Sequence, residues 1–480
     1  MDHTIATQSV TSALKRTIPM TQDTASAGVT LEFESGTILV SGIEPGGYDG
    51  PALIFDDRVG RYRAPAHTYR VVLTALTRAG YTITDRVKAY EELELSLEHA
   101  PAPFTHQAGG LAAWVEAGRR GVVVLPTGSG KTYVAQLAMM QVQRSTLVVV
   151  PTIDLLNQWA SVLERAFGQP VGMLGGGSFD VQPLTVSTYD SAAIHMERLG
   201  GRFGLLIFDE VHHLPGEMYQ HGAMDAIAPF RLGLTATLER ADGKERVLDD
   251  LIGPVVFERS IKDLSGDILA DYDVRSLEIA MDEPDAQTYA SEREVYRTFT
   301  RSRFISMGSP KGWQRFLAET NRSKEGRRAF EAYRAQKRLS LVHDAKLRAL
   351  YDLLQQHHDD RVIIFTNDNA SVYAISRHVL CPSITHQTPA KERKEILARF
   401  NDGTYKTIAT SKVLNEGVDV PEARVAIVLS GSGSVREHVQ RLGRILRRAP
   451  DKKAVLYELI TANSSETYVS QRRREHDAYQ

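Results

Sequence analysis

The chain has one cysteine, Cys381, in 480 residues. A single thiol excludes an internal disulfide and a multi-cysteine zinc site, and it fits a reducing cytoplasm. No run of about 18 apolar residues occurs, so nothing in the sequence is built to span a bilayer. The opening MDHTIATQSV has no basic stretch leading into an apolar core and does not read as a secretory signal. An excess of one charge is missing as well, since 57 Lys and Arg against 59 Asp and Glu leave a net charge of −2. Any nucleic-acid contact must therefore come from a local patch. The hydrophobic share of 42% and the charged share of 24% are ordinary for a soluble globular protein. The length suits about three domains.

Two strings carry chemistry. LPTGSGKT, Leu125 to Thr132, follows the apolar run Gly121 to Val124 and leads into a helical pattern. Such a turn through Gly128, Ser129 and Gly130 lets backbone amides converge on phosphate oxygens at the positive end of a helix. Glycine permits that close approach. Lys131 would then reach the β- and γ-phosphates, and the Thr132 hydroxyl would ligate Mg²⁺. The strict G-x-x-x-x-G-K-[ST] pattern has Leu125 where its first glycine belongs. The second string, DEVHH, closes the apolar run Leu205 to Phe208. Asp209 would hold the metal, and Glu210 would orient or deprotonate an attacking water.

The rest of the chain frames these strings. Residues 1–27 lack periodicity and are expected to form a loose tail. From Val29 the alternation predicts a hairpin turning at Ser35 and Gly36, and Thr68 to Tyr81 has helical spacing ending on Gly80. Residues 28–95 read as a small α/β domain. GVVVLP, TLVVVP, PLTVSTY, LLIF and RLGLTA then alternate with helical stretches, as in a parallel sheet covered on both faces. VIIF, TIAT, VAIVLS and AVLYEL repeat the pattern later. Gly175 to Gly177 read as a turn, and His357 to Asp360 as a polar connecting loop rather than a metal site.

Between Ser291 and Ser340 thirteen Lys or Arg stand against five Glu and no Asp. Seven aromatics are interspersed: Tyr296, Phe299, Phe304, Trp313, Phe316, Phe330 and Tyr333. The basic residues suit phosphates, and exposed aromatics would stack on bases or wedge a duplex. For any one of these rings, the core of a helical hairpin is the better reading.

The second wound unit has no phosphate loop. Its contribution is SGSGSVREHVQRLGRILRR, where Ser434 and Glu437 have capping-box spacing. The following helix would put Val435, Val439, Leu442 and Leu446 on one stripe, with Gln440, Arg444 and Arg447 opposite. Facing a nucleotide across a cleft, such arginines act as fingers.

In order, LPTGSGKT, VVVPTIDLLNQW, VSTYDSA, DEVHH, LGLTAT, IIFT, NEGVDVP and QRLGRILRR resemble the motif series of superfamily 2 helicases. The series is most similar to the XPB family in its short prokaryotic form, over roughly residues 100–460. IFDDRVGRYRAPAHTYR resembles that family's N-terminal damage-recognition domain. The resemblance implies two tandem RecA-like wound parallel-sheet domains (100–258 for ATP binding, 259–480 C-terminal), with a small N-terminal α/β domain over 28–95 and a helical thumb insertion at 288–340. It implies ATP and Mg²⁺ at Gly128, Ser129, Gly130, Lys131, Thr132 and Asp209, with Gln107 at the adenine. Catalysis falls to Glu210, Gln440, Arg444 and Arg447. Gly417 and Asp419 would sense nucleotide, Thr235 and Thr237 would couple hydrolysis to movement, and Thr188, Arg240 and Asp242 would lie toward DNA.

The chain reads Arg240, Ala241, Asp242 where the family often has arginine, glutamate and aspartate, and that lost glutamate bears on strand separation. The expected function is an ATP-dependent DNA helicase acting in repair or transcription. The alternatives are a duplex translocase that leaves strands paired and an ATP-regulated damage-binding scaffold. DNA is the implied partner, with a structure-specific nuclease beside it and no membrane.

Overall fold

A computed structural model describes residues 28–50, 53–238, 243, 246–264, 272–309, 311–411, 423–429, 454–464 and 466–467. The expected tail and Arg240, Asp242, Gly417, Asp419, Gln440, Arg444 and Arg447 lie outside the described residues.

The first sheet holds β1 (Gly28–Glu34), β2 (Thr37–Ser41), β3 (Ile54–Asp56), β4 (Arg61–Pro65) and β5 (Thr82–Arg86), in the order β3-β4-β2-β1-β5. The β1–β2 hairpin turns at Ser35 and Gly36, whose φ of +47° and +68° give a tight turn of the hand that strand twist favours. Helix α1 (Tyr69–Arg78) buries Tyr69, Val72 and Leu76, one stripe at helical spacing, and is followed by Gly80 at φ +85°.

The second sheet begins after α2 (Thr105–Glu116). It contains β6 (Arg120–Val124), β7 (Thr146–Val150), β8 (Val171–Gly175), β9 (Ser178–Phe179), β10 (Leu184–Thr188), β11 (Leu205–Asp209), β12 (Phe230–Thr235) and β13 (Val255–Glu258). Between them run α3 (Lys131–Val142), α4 (Ile153–Phe167), α5 (Tyr189–Leu199), α6 (His221–Met224) and α7 (Val247–Leu251). The order is β13-β6-β12-β11-β7-β10-β8-β9, parallel throughout except for the β8–β9 hairpin. Alternate residues feed two cores: Val123, Val148 and Ile207 point to one face, Val122, Val149 and Phe208 to the other. That double burial is why these strands read as unbroken apolar runs. Sequence reasoning passed over β8 and β13, and Gly176 and Gly177 form the β8–β9 turn.

One cation is sealed inside this unit. Arg231 on β12 is fully buried, and its guanidinium donates to Leu251 O (2.6 Å), Ala226 O (2.7 Å) and Ala228 O (3.1 Å). Burial, with Arg120 nearby, lowers its pKa well below the ordinary arginine value. The small sheet docks beside this point. Gly36 N donates to Glu197 O at 2.9 Å, His67 Nδ1 lies 3.3 Å from Met224 O, and Ile227 packs into the core of the first sheet. A Cβ at Gly36 would fall 2.8 Å from the Asp225 carboxyl carbon, so only glycine fits there.

The third sheet follows α8 (Ile261–Leu264). Its strands are β14 (Tyr272–Ile279), β15 (Val362–Phe365), β16 (Ser383–Ile384), β17 (Thr407–Thr410), β18 (Val425–Val428) and β19 (Ala454–Thr461), all parallel in the order β14-β19-β18-β15-β17-β16. Helices α9 (Glu283–Ser302), α10 (Gly312–Thr320) and α11 (Lys324–Leu341) form the basic insertion. Helices α12 (Asp344–Gln356), α13 (Asn369–Val379) and α14 (Ala390–Asn401) complete the unit. His357 to Asp360 connect α12 to β15, with His357 bonded to Asp360 and Tyr457. Among the described residues no metal-ligating cluster forms.

His343, between α11 and α12, is buried beside Thr461. Burial and the Lys346 ammonium push its imidazole down to about 4. An unfolded histidine takes a proton near pH 6.5, whereas folded His343 stays neutral until about pH 4, so this group removes stability as pH falls between those values. His343→Asn should therefore flatten the fall in Tm between pH 7 and pH 5, measured by calorimetry against the parent chain.

Candidate active site

The parallel register brings three strand ends level. Val124 of β6 stands opposite Thr235 of β12, and Leu234 of β12 stands opposite Asp209 of β11. The glycine loop, the acidic pair and the LTAT strand end therefore open into one crevice at the carboxyl edge of the sheet, where wound sheets bind ligands.

In the loop, Gly128 and Gly130 both have φ +86°, and Gly130 starts α3. Ser129 is buried, with its hydroxyl donated to Pro126 O at 2.7 Å. Lys131 Nζ lies 3.1 Å from Leu125 O, and Thr132 is half-buried in the first turn of α3. Gln107 braces the loop from α2. Its amide donates to Ser129 O at 3.0 Å and accepts from Phe104 N at 3.0 Å. A Cβ at Gly130 would sit 2.2 Å from Gln107 Nε2. Gln107, expected at an adenine, is 4% exposed and has both ends of its amide on the chain's own backbone.

Asp209 and Glu210 differ in setting. The Asp209 carboxylate accepts from Trp159 Nε1 at 2.9 Å and from Glu210 N at 3.1 Å. Burial and the neighbouring Glu210 push its carboxyl up, while the Lys131 ammonium pulls it back. A buried carboxylate held above its ordinary range fits a site that a bound cation completes. Among the described residues no group of three metal-ligating side chains forms, which suits Mg²⁺ with its retained waters.

Glu210 adopts φ +48°, a strained backbone for a residue with a side chain. Tyr189 Oη donates to Asp209 O at 3.0 Å and Glu210 O at 3.3 Å, holding the turn from behind. Thr235 Oγ1 lies 3.3 Å from Glu210 Oε2, 3.0 Å from His212 Nδ1 and 2.7 Å from Thr237 O. The next residue, Ala236, packs into a core of the third sheet with Ile261 and Phe365. Adjacent residues thus belong to the acidic turn and to the second wound unit. A second tie joins Arg393 of α14 to Asp154 in the first turn of α4.

Thr188, expected toward nucleic acid, stands at the start of α5, largely buried, where its hydroxyl accepts from Ser191 N and donates to Ser191 Oγ. Trp159, Tyr189 and His212 are site residues that sequence reasoning passed over, although each stands in a quoted string.

Residues 31–87 match the family model of the xeroderma pigmentosum group B helicase damage recognition domain. Residues 87–240 match the type III restriction enzyme res subunit, and residues 327–479 the ERCC3/RAD25/XPB C-terminal helicase. The DNA 3'-5' translocase XPB2 of Sulfurisphaera tokodaii is 37% identical over 455 residues, covering 93% of this chain and all of that protein. The DNA 3'-5' helicase XPB of Mycobacterium tuberculosis is 32% identical over 75% of this chain and 61% of its own length. The crystal structure of the Pyrococcus furiosus Hef helicase domain shares the fold, with a TM-score of 0.50 at 18% identity over 77% of this chain and 98% of that one. With all of the archaeal relative covered and the wound units in the expected order, the chain belongs to the XPB helicase family in its short prokaryotic form.

Proposed function

We propose that this chain is an ATP-dependent DNA helicase or translocase of XPB type, working in repair or transcription. The observation that carries the proposal is the level crevice, in which the Lys131 loop, Asp209, Glu210 and Thr235 meet on three adjacent strands. Backbone amides of Gly128 to Lys131 cradle the phosphates, and Lys131 meets the terminal ones. Thr132 and Asp209 would hold Mg²⁺, which would supply neutralisation of the phosphate oxygens. Glu210 takes the proton of the attacking water. Gln107 positions the loop. Gln440, Arg444 and Arg447 complete the charge stabilisation from the second wound unit, with Gly417 and Asp419 sensing the nucleotide. Thr235 and Thr237 link Glu210 to that unit through Ala236. Arg240 and Asp242 are assigned to DNA by the family resemblance.

The domain assignment is part of the same reading: 1–27 tail, 28–95 damage recognition, 100–258 ATP binding, and 259–480 C-terminal with the thumb at 288–340. A structure-specific nuclease as partner and a cytoplasmic setting rest on the resemblance and on the single cysteine. Ala241 favours a second reading, translocation along duplex without strand separation; triplex displacement without strand displacement would select it. The main test is ATP turnover with single-stranded, duplex, forked and bubble DNA. At least tenfold stimulation by one of them is expected, and none with any would overturn the proposal.

Trp159 gives a finer check. Contacts behind metal ligands are worth about 10- to 100-fold in metal affinity. Trp159→Phe should weaken Mg²⁺-dependent binding of a fluorescent ATP analogue about tenfold and leave binding in EDTA unchanged.

A further inference from the structure

The basic insertion is a long hairpin that projects from the third sheet. Near its base, Arg293 of α9 reaches Asn463 O at 3.4 Å. Helices α9 and α11 run antiparallel, joined by the Arg328–Glu292 pair at 2.6 Å. Arg293 stands midway along the 20-residue α9, so its carboxyl end at Ser302 lies about 14 Å further along the helix than that contact. Most of the seven aromatics form the hairpin's own core: Phe299, Phe316, Tyr296, Phe330 and Tyr333 cluster around Ile305 and Ala329. Trp313 leans on Phe316 and Tyr333.

Trp313 keeps 40% of its surface exposed, and Phe304 stands apart from all of them, 86% exposed at the tip and outside the cluster. Its backbone has φ +50°, the left-handed region. The bonds around it are those of a helix-ending motif: Phe304 N donates to Arg301 O at 3.1 Å and Ile305 N to Thr300 O at 2.9 Å. The motif turns Ile305 inward, 8% exposed, and swings Phe304 out. Glycine is the residue that position favours, because it removes both the steric strain and the exposed apolar ring. Stability therefore does not account for Phe304.

Charge says what the ring faces. From 301 to 327 the tip carries Arg301, Arg303, Lys311, Arg315, Arg322, Lys324 and Arg327 against Glu319 and Glu325. Arg315 donates to Arg303 O at 3.3 Å, which places α10 beside the turn that holds Phe304. A protruding aromatic ring among cations matches a polyanion with an accessible π-face. In duplex DNA the base faces are covered by their neighbours, so the matching ligand is an unstacked base at a fork, bubble or strand end.

We propose that the tip of the α9–α10–α11 hairpin is a base-stacking site for DNA junctions, with Phe304 as the platform and the surrounding arginines on the flanking phosphates. This inference rests on the DNA-dependent reading above.

The test compares the full chain with Phe304→Gly and Phe304→Trp. Binding is measured to a fork carrying 2-aminopurine at the junction and to covalently closed relaxed duplex circles. Stacking on an aromatic ring predicts about tenfold weaker fork binding by Phe304→Gly, with the junction fluorescence change lost. Phe304→Trp should restore both, circle binding should not change, and the Tm of Phe304→Gly should equal or exceed that of the parent.

Fork affinity and fluorescence retained in Phe304→Gly would overturn the proposal, including the case in which a protein occupies the tip. So would a lowered Tm, or no rescue by tryptophan. If the parent chain binds no DNA and shows no stimulated turnover, the functional reading falls as well. If the parent binds the fork and Phe304→Gly matches it, only the stacking site falls.

Discussion

Glu210→Gln should lower DNA-stimulated ATP turnover about 10³-fold, within the range expected when a positioned base is removed, while Mg²⁺-dependent nucleotide binding stays at or above the parent level. The amide keeps the size of the carboxylate and can still accept the Thr235 hydroxyl, so the link to the LTAT strand end survives. It cannot accept a proton. Removing the charge also eases the repulsion that helps push Asp209 up, so the carboxylate assigned to the metal stays ionised. Single-turnover hydrolysis beside equilibrium binding separates the two effects. A variant that hydrolyses ATP within tenfold of the parent would remove Glu210 from the role of base, and surviving repair function in it would revive the scaffold reading.

The largest stability effect is expected at Arg231. Arg231→Ala should cost about 3–5 kcal/mol, the sum expected for neutral carbonyls left without their donors and a large-to-small cavity, less the relieved desolvation. Two terms oppose each other. Taking out the cation removes the desolvation penalty that depresses its pKa. Against that, Ala226 O and Ala228 O lose the Arg231 donors inside the protein, at about 1–3 kcal/mol each, Leu251 O keeps only Arg120 Nη2 at 3.2 Å, and a cavity opens in β12. The orphaned carbonyls outweigh the relief. Arg231→Met, which refills the volume without the donors, should recover only the cavity part. Because Ile227 lies between two of those carbonyls and packs into the first sheet, hydrogen exchange should rise at 226–228 before the rest of the unit opens. Urea unfolding that matches the parent would refute the account.

What could be read from the residues follows burial. The runs at β6, β7, β11, β15 and β18 are buried on both faces, so they stand out as apolar blocks. The edge strand β14 mixes half-buried and exposed positions and has no such block. In the candidate site, the glycine loop and the acidic pair are legible because backbone chemistry demands those residue types in sequence. Trp159 is not, since its role comes from meeting Asp209 fifty positions away across the sheet. The bond at Thr188 is of the opposite kind, since its partner Ser191 is only three residues on, the spacing of a helix N-cap. In the hairpin the ordinary core reading holds for most rings, and Phe304 departs from it only because of a backbone angle that no residue pattern announces.

The docking of the small sheet through Gly36, His67 and Ile227 has a mechanical meaning. The N-terminal sheet shares a frame with the phosphate loop, whereas the projecting hairpin belongs to the opposite unit. If a DNA segment contacted both places, it would be anchored at one end and loaded at the other. Work released in the crevice would then appear as tension along that segment, and its direction would depend on which grip lets go first.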